Sequence, residues 1–202
     1  FIDMTSRRVV AYLKSGDANI YLSNDGGNLE TVKELKIAEM VGFDTLKYTV
    51  SPAVNLTSLS QVKVYEGDRE IAVTGLSNMN KGAISGEVTV GEALDLSKTY
   101  EIEIDGYGRK AIVPITVFDS DEFIANYTYD GDDLGAVISG DTTTFKVWAP
   151  TASKVVLNLY SAGNGGETIA NVEMVKGEKG VWAHTEECGH GTYYTYTVTT
   201  AV

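Results

Sequence analysis

The residues of this chain that could do chemistry are few and scattered. Cys188-Gly189-His190 places a thiol and an imidazole in one short loop. A zinc site takes four ligands, and no second pair accompanies these, so Cys188 reads as an apolar or surface cysteine. Asp130-Gly131-Asp132-Asp133 gathers carboxylates but lacks the spaced ligands and distal Glu of an EF-hand. It reads as a glycine-containing turn with solvated acids. Asp132 and Asp133 also make a poor glycosidase pair, because that chemistry needs two carboxyls facing each other across a sugar cleft. A phosphate loop, GxSxG, HExxH and CxxC are all missing from the sequence, and the two histidines are too few for most histidine chemistry. The expectation is no catalytic residue, no metal and no cofactor. Aromatic rings remain. Lys146 and Trp148 share one strand face opposite Phe145 and Val147. Trp182 stands in the same relation to Val181 and Ala183, and Tyr160 and Tyr193 fall on the non-core parity of their strands. The expectation is one aromatic surface of Trp148, Lys146, Trp182, Tyr160 and Tyr193, although either tryptophan could instead fill the core. Such rings stack on flat apolar ligands or pack against protein.

The elements that must carry these residues read as strands. Phe145, Val147 and Ala149 alternate with Lys146 and Trp148, and Pro150, which cannot donate to a ladder, ends that strand. Val155, Leu157 and Leu159 share a face, as do Tyr194, Tyr196 and Val198. The expected core of this half is Phe145, Val147, Leu157, Leu159, Tyr194 and Tyr196. Upstream, Arg7 to Leu13 and Ala18 to Leu22 read as strands, with turns at Ser15 to Asp17 and Asn24 to Asn28. Thr31 to Val41 fits a helix capped by Asn28 or a strand; its strand neighbours favour strand. Leu46, Tyr48 and Val50 share a face, and Ser51-Pro52 should close that strand. Gln61 to Tyr65 and Glu70 to Thr74 flank a hairpin tip at Glu66 to Arg69. Glu87 to Val90, Thr99 to Ile104 and Lys110 to Val117 complete the first half. The fold class expected is all-β, two immunoglobulin-like β-sandwich modules in tandem. Their spans are 1–117 and 127–202, separated by the boundary segment 118–126.

Composition agrees with a folded chain. With 202 residues there is room for one large or two small domains, and 43% hydrophobic content with 21 Gly suits β structure over disorder. A net charge of −12 argues against nucleic acid and anionic membrane as partners and suits a neutral ligand. One cysteine excludes an internal disulfide, and no apolar run is long enough to span a bilayer. A start at Phe1 without Met reads as an excised or mature fragment. The compartment is not written in the terminus or the composition, and a secreted or cell-surface setting is favoured over a cytoplasmic one.

Several stretches carry a family resemblance. Tyr127-Thr128-Tyr129-Asp130-Gly131-Asp132-Asp133-Leu134-Gly135-Ala136, followed by the FKVWAP of Phe145 to Pro150 and the SKVVLNLY of Ser153 to Tyr160, resembles the N-terminal module of type I pullulanases. That module belongs to the isoamylase N-terminal, glycogen-binding-like family found in starch-debranching and branching enzymes of the α-amylase superfamily. Gly180-Val181-Trp182 and the GTYYTYTV of Gly191 to Val198 resemble its final strands. Ser97 to Pro114 looks like the end of the preceding module in clostridial members, while the first ninety residues resemble the family only loosely. The resemblance implies a parent enzyme that hydrolyses α-1,6 links of pullulan and starch on a (β/α)8 barrel beginning about where this chain stops. Neither the barrel's carboxylates nor its YNWGYDP motif is in this sequence, so this chain is expected not to be an enzyme. The implied partners are α-glucan (pullulan, starch or glycogen), bound weakly through the aromatic surface, or the parent's own catalytic domain. Glycogen-binding relatives such as the β subunit of AMP-activated kinase carry an Asn-Asn-Trp loop after the strand matching Val155 to Tyr160. Here Ser161 to Gly166 has no aromatic, so their binding residues are not carried over. The rival reading is a structural or adhesive tandem of immunoglobulin-like domains with no carbohydrate role.

Overall fold

The computed structural model describes residues 32–201 and, before them, only the backbone of four two-residue strands: β1 (Ile2–Asp3), β2 (Arg8–Val9), β3 (Ile20–Tyr21) and β4 (Glu30–Thr31). The remainder of the strands expected over Arg7 to Leu13 and Ala18 to Leu22, and the turns around them, lie outside the described residues. The chain divides into two compact units, Phe1–Ala93 with Tyr100–Thr116 and Leu94–Thr99 with Val117–Val202. Both are all-β.

The first unit holds β5 (Glu34–Met40), β6 (Thr45–Asn55), β7 (Val62–Glu66), β8 (Arg69–Ile71), β9 (Val73–Leu76), β10 (Gly82–Val90), β11 (Glu101–Ile104), β12 (Gly108–Ala111) and β13 (Val113–Pro114). One sheet runs β13-β5-β6-β10-β9 and the other β12-β11-β7-β8. Leu46, Tyr48, Val50, Val64, Val88, Ile102 and Ile104 are buried, the inward set that strict alternation dictates. Two local departures have physical causes. The strand β5 carries a bulge between Leu35 and Ile37, so its buried positions fall at Leu35, Ala38 and Met40. A spacing of three followed by two imitates a helical face, which is why Thr31 to Val41 read both ways. Pro52 does not close β6; the strand continues to Asn55. The ladder from β6 to β10 shifts register between Ala83 and Ser85, opposite this stretch, so the missing proline N–H breaks no regular rung there.

The boundary segment is not simply extended. Ser120 Oγ accepts the Phe123 N–H at 3.1 Å and caps α1 (Asp121–Tyr127), with Asp121 and Glu122 in its first turn. The second unit then runs β14 (Gly135–Ser139), β15 (Thr142–Trp148), β16 (Ala152–Tyr160), β17 (Thr168–Glu173), β18 (Val175–Lys176), β19 (Val181–Glu186) and β20 (Tyr193–Thr200). One sheet has the order β14-β15-β19-β18, the other β17-β16-β20. Their inner faces meet in a core of Phe145, Ala152, Val155, Leu157, Leu159, Met174 and Trp182. Of the expected core, Phe145, Leu157 and Leu159 are buried, while Val147 and Tyr196 pack against it half-buried. Tyr194 sets its ring edge on Phe145 at 5.0 Å but stays 37% exposed, because β20 is the outermost strand of its sheet.

Trp182 corrects the sequence-based expectation. It is 5% exposed and lies in the core. In the antiparallel ladder Trp182 pairs with Val147, and directly opposite residues share a face, so Trp182 points inward with Phe145 and Val147. Its indole N–H is satisfied by the Ala149 carbonyl at 3.0 Å. Alternation within β19 defines two faces but not which is inner; the register against β15 decides.

Candidate functional site

The four remaining aromatic-surface residues divide between two outer faces. Tyr160 closes β16 on the parity opposite Leu159 and pairs directly with Tyr193 of β20. The next outward pair is Asn158 and Thr195. Asn158 Nδ2 donates to Thr195 Oγ1 at 3.3 Å and to Thr197 Oγ1 at 2.9 Å, and the Tyr160 hydroxyl lies 3.4 Å from Thr195 Oγ1. These bonds hold the face as a polar lattice with Tyr193, 50% exposed, at its end. The loop after β16 folds over it: Ser161 N–H donates to the Glu167 carbonyl, and Glu167 N–H to Ser161 Oγ, both at 3.0 Å. A groove of about 340 Å³ results, lined by Tyr160, Ala162, Gly163, Tyr193, Tyr194 and Thr195 among others. Its width depends on Gly163, where a Cβ would stand 2.8 Å from the Tyr193 ring. Sequence reasoning found Tyr160 and Tyr193 but missed Thr195 and the loop. The available signal was the glycine-rich stretch beside two paired tyrosines.

Lys146 and Trp148 lie on the outer face of the other sheet, so no single surface joins them to the tyrosines. Trp148 is 42% exposed, and its indole N–H donates to the Tyr127 carbonyl at 2.9 Å. Lys146 forms an ion pair with Asp133, whose carboxylate also accepts the Tyr129 hydroxyl. The Lys146 hydrogen bond, seconded by Tyr129, holds the Asp133 carboxyl below the usual carboxylate range. Asp133 in turn raises Lys146 and the Tyr129 phenol. The acidic turn is therefore not merely solvated: Asp133 ties the segment after α1 to β15. Cys188 is half-buried against the core. Among the described residues no group of three His, Cys, Asp or Glu could hold a metal ion, and no helix is long and apolar enough to cross a membrane.

Comparison with known proteins bears on the second unit above all. Residues 133–202 match carbohydrate-binding module 48, the isoamylase N-terminal domain. This module-48 region contains the groove, Lys146 and Trp148. Over 75 residues the chain is 43% identical to a pullulanase of Bacillus subtilis, covering 37% of this chain and 9% of that protein. It is 28% identical over 127 residues to pullulanase A of Streptococcus pneumoniae, covering 48% of the chain and 10% of that protein. The chain thus spans about a tenth of these relatives. Among solved structures, a pullulanase from Bacillus acidopullulyticus superposes with TM-score 0.69 at 19% identity over 83% of this chain and 34% of that one. The pullulanase SAP of Group B Streptococcus gives 0.64 at 20% identity, over 83% and 22%. A pullulanase complexed with maltotetraose from Anoxybacillus sp. LM18-11 gives 0.56 at 24%, over 83% and 23%. At these identities the superpositions establish the fold. The module-48 match and the pullulanase relatives together make this chain similar to an N-terminal module of a type I pullulanase.

Proposed function

We propose that this chain is the non-catalytic front end of a pullulanase-like starch-debranching enzyme and binds α-glucan through the Tyr160–Tyr193 groove. The carrying observation is that groove of about 340 Å³, floored by two adjacent outward tyrosines and edged by hydroxyls, within the residues that match a carbohydrate-binding module. Tyrosine rings offer flat apolar faces to pyranose rings, and Thr195 and the loop amides offer hydrogen-bond partners to their hydroxyls. One or two stacking contacts on an open groove give weak binding, about 0.1–1 mM, against the cost of association. The names and bound sugars of the pullulanase relatives support α-glucan as the ligand class. The parent protein would hydrolyse α-1,6 links; this chain would not.

Affinity electrophoresis in glycogen-containing gel tests this. The wild type is retarded, and Tyr193→Ala, whose exposed ring leaves no cavity, loses about tenfold in affinity. Equal migration with and without glycogen would refute the proposal. A second reading has its own support: β14 and β20 end their sheets and expose Val137, Ile138 and Val198, an apolar margin suited to protein contact. On that reading the unit scaffolds the parent's catalytic domain, and sugar would be ignored.

A further inference from the structure

Trp148 stands on the sheet opposite the groove, with its ring half-exposed and its one polar atom already satisfied by the Tyr127 carbonyl. An indole whose N–H is bonded within the protein is fixed in orientation and presents carbon to solvent. Lys146 lies two residues back on the same strand face, about 7 Å along the strand. That is roughly the distance from a stacked pyranose to the hydroxyls of the next one. Lys146 holds Asp133, and Asp133 holds Tyr129. This cluster offers an ammonium, a carboxylate and a phenol, donors and acceptors both, beside a flat ring. Lys146 could not swing away without leaving Asp133, so the polar groups are pre-positioned.

We infer that this is a second α-glucan contact face, independent of the groove, with Trp148 as the stacking ring and Lys146, Asp133 and Tyr129 as hydroxyl partners. It rests on the proposed function for the ligand class but on different residues and a different sheet. The two sheets pack about 10 Å apart, and the two faces look in opposite directions. One chain of glucan cannot lie on both. The unit is therefore bivalent: it bridges two chains, and on a branched polymer two weak contacts combine into stronger retention.

The sequence contains two tryptophans, and Trp182 is core. Exposed-tryptophan signals therefore report Trp148. Maltoheptaose should shift wild-type emission to the blue and reduce acrylamide quenching at least twofold; this measurement needs no variant. Tyr193→Ala should keep that response, because its ring lies on the other sheet. Wild-type protein should raise the turbidity of dilute glycogen by cross-linking it, and Trp148→Ala should abolish both the emission response and the turbidity. Flat emission and unchanged quenching to tens of millimolar maltoheptaose overturn the second face, whatever the gel shows. If the gel still shows Tyr193-dependent retardation, the groove stands alone. If it shows none, the groove reading has failed separately. An emission response without turbidity overturns the bivalence.

Discussion

Tyr48 and Tyr193 each lie over a glycine, with opposite consequences. In the first unit Tyr48 lies across the strand from Gly86, and a Cβ there would stand 2.5 Å from its hydroxyl. In the second unit Tyr193 lies against Gly163, where a Cβ would stand 2.8 Å from its ring. Tyr48 is buried and Tyr193 exposed. The contrast extends to the other rings. Among the described residues of the first unit, Phe43, Tyr48, Tyr100 and Tyr107 are buried. Tyr65, half-buried, lies under the Arg109 guanidinium at 4.1 Å, a charge that Glu101 holds at 2.7 Å. The second unit displays Trp148, Tyr193 and Tyr194. Two sandwiches of the same class thus place aromatic rings differently: the first keeps most of them as filling, while the second, besides Phe145 and Trp182 in its core, sets others on its surface. Ligand contact requires the second use.

Substitutions can break this comparison. The largest effect is expected within the second unit, between its two tryptophans. Trp182→Ala should cost about 3–5 kcal/mol, the lost transfer energy plus a cavity. Trp148→Ala should cost about 1 kcal/mol at most, mainly its bond to the Tyr127 carbonyl. Urea unfolding of both variants checks the difference, and equal losses would show that Trp148 is filling too.

Next come the glycines. Gly86→Ala should cost about 1–3 kcal/mol, because the Tyr48 ring is packed on every side and has nowhere to go. Gly163→Ala should cost under about 0.5 kcal/mol, since Tyr193 can swing into solvent. It should nonetheless weaken glycogen retention by moving the groove wall. A destabilisation from Gly163→Ala as large as from Gly86→Ala would erase the distinction between the units.

The last effect is alkaline. Burial, aided by Tyr194 beside it, pushes the Tyr196 phenol up to about 12. A raised phenol means that the fold favours the neutral form. The stability this contributes is whole below the ordinary tyrosine value near 10 and is lost as pH rises through about 12. The loss should be on the order of 1 kcal/mol after allowance for solvent screening. Tyr196→Phe should flatten that part of the pH–stability curve. Burial raises Tyr48 as well, so the first unit's alkaline sensitivity should survive the substitution.

What could be read in advance follows from what alternation can and cannot encode. Leu46, Tyr48 and Val50, and equally Leu157 and Leu159, declare their inner face because the opposite parity carries Lys47 and Thr49, or Asn158 and Tyr160. β19 makes no such declaration: Val181, Trp182 and Ala183 are all apolar, so only pairing with Val147 assigns Trp182 inward. The single aromatic platform failed for the same reason, since parity places a residue on a face of its own sheet and is silent on which sheet. The bulge in β5 needed its partner strand to be seen. The helix at Asp121–Tyr127 was available in the order Ser120-Asp121-Glu122, a cap followed by acids, but its short length hid any periodicity. The link from Asp133 to Lys146 spans a hairpin and had no local signal.

The loop Ser161 to Gly166 also bears on how such a module can change over generations. Gly165 has φ of +67°, and a Cβ on Gly166 would strike the Ala162 backbone at 2.3 Å, so the second half of the loop has little freedom. Asn164 is exposed and sits in the chain between Gly163 and Gly165, which line the groove. Lengthening a loop is inexpensive, about 0.6 kcal/mol per doubling. If the groove binds glucan as proposed, its affinity for polymer can drift up or down at this one rim, by a single large side chain or a short insertion, while the sandwich beneath is inherited unchanged.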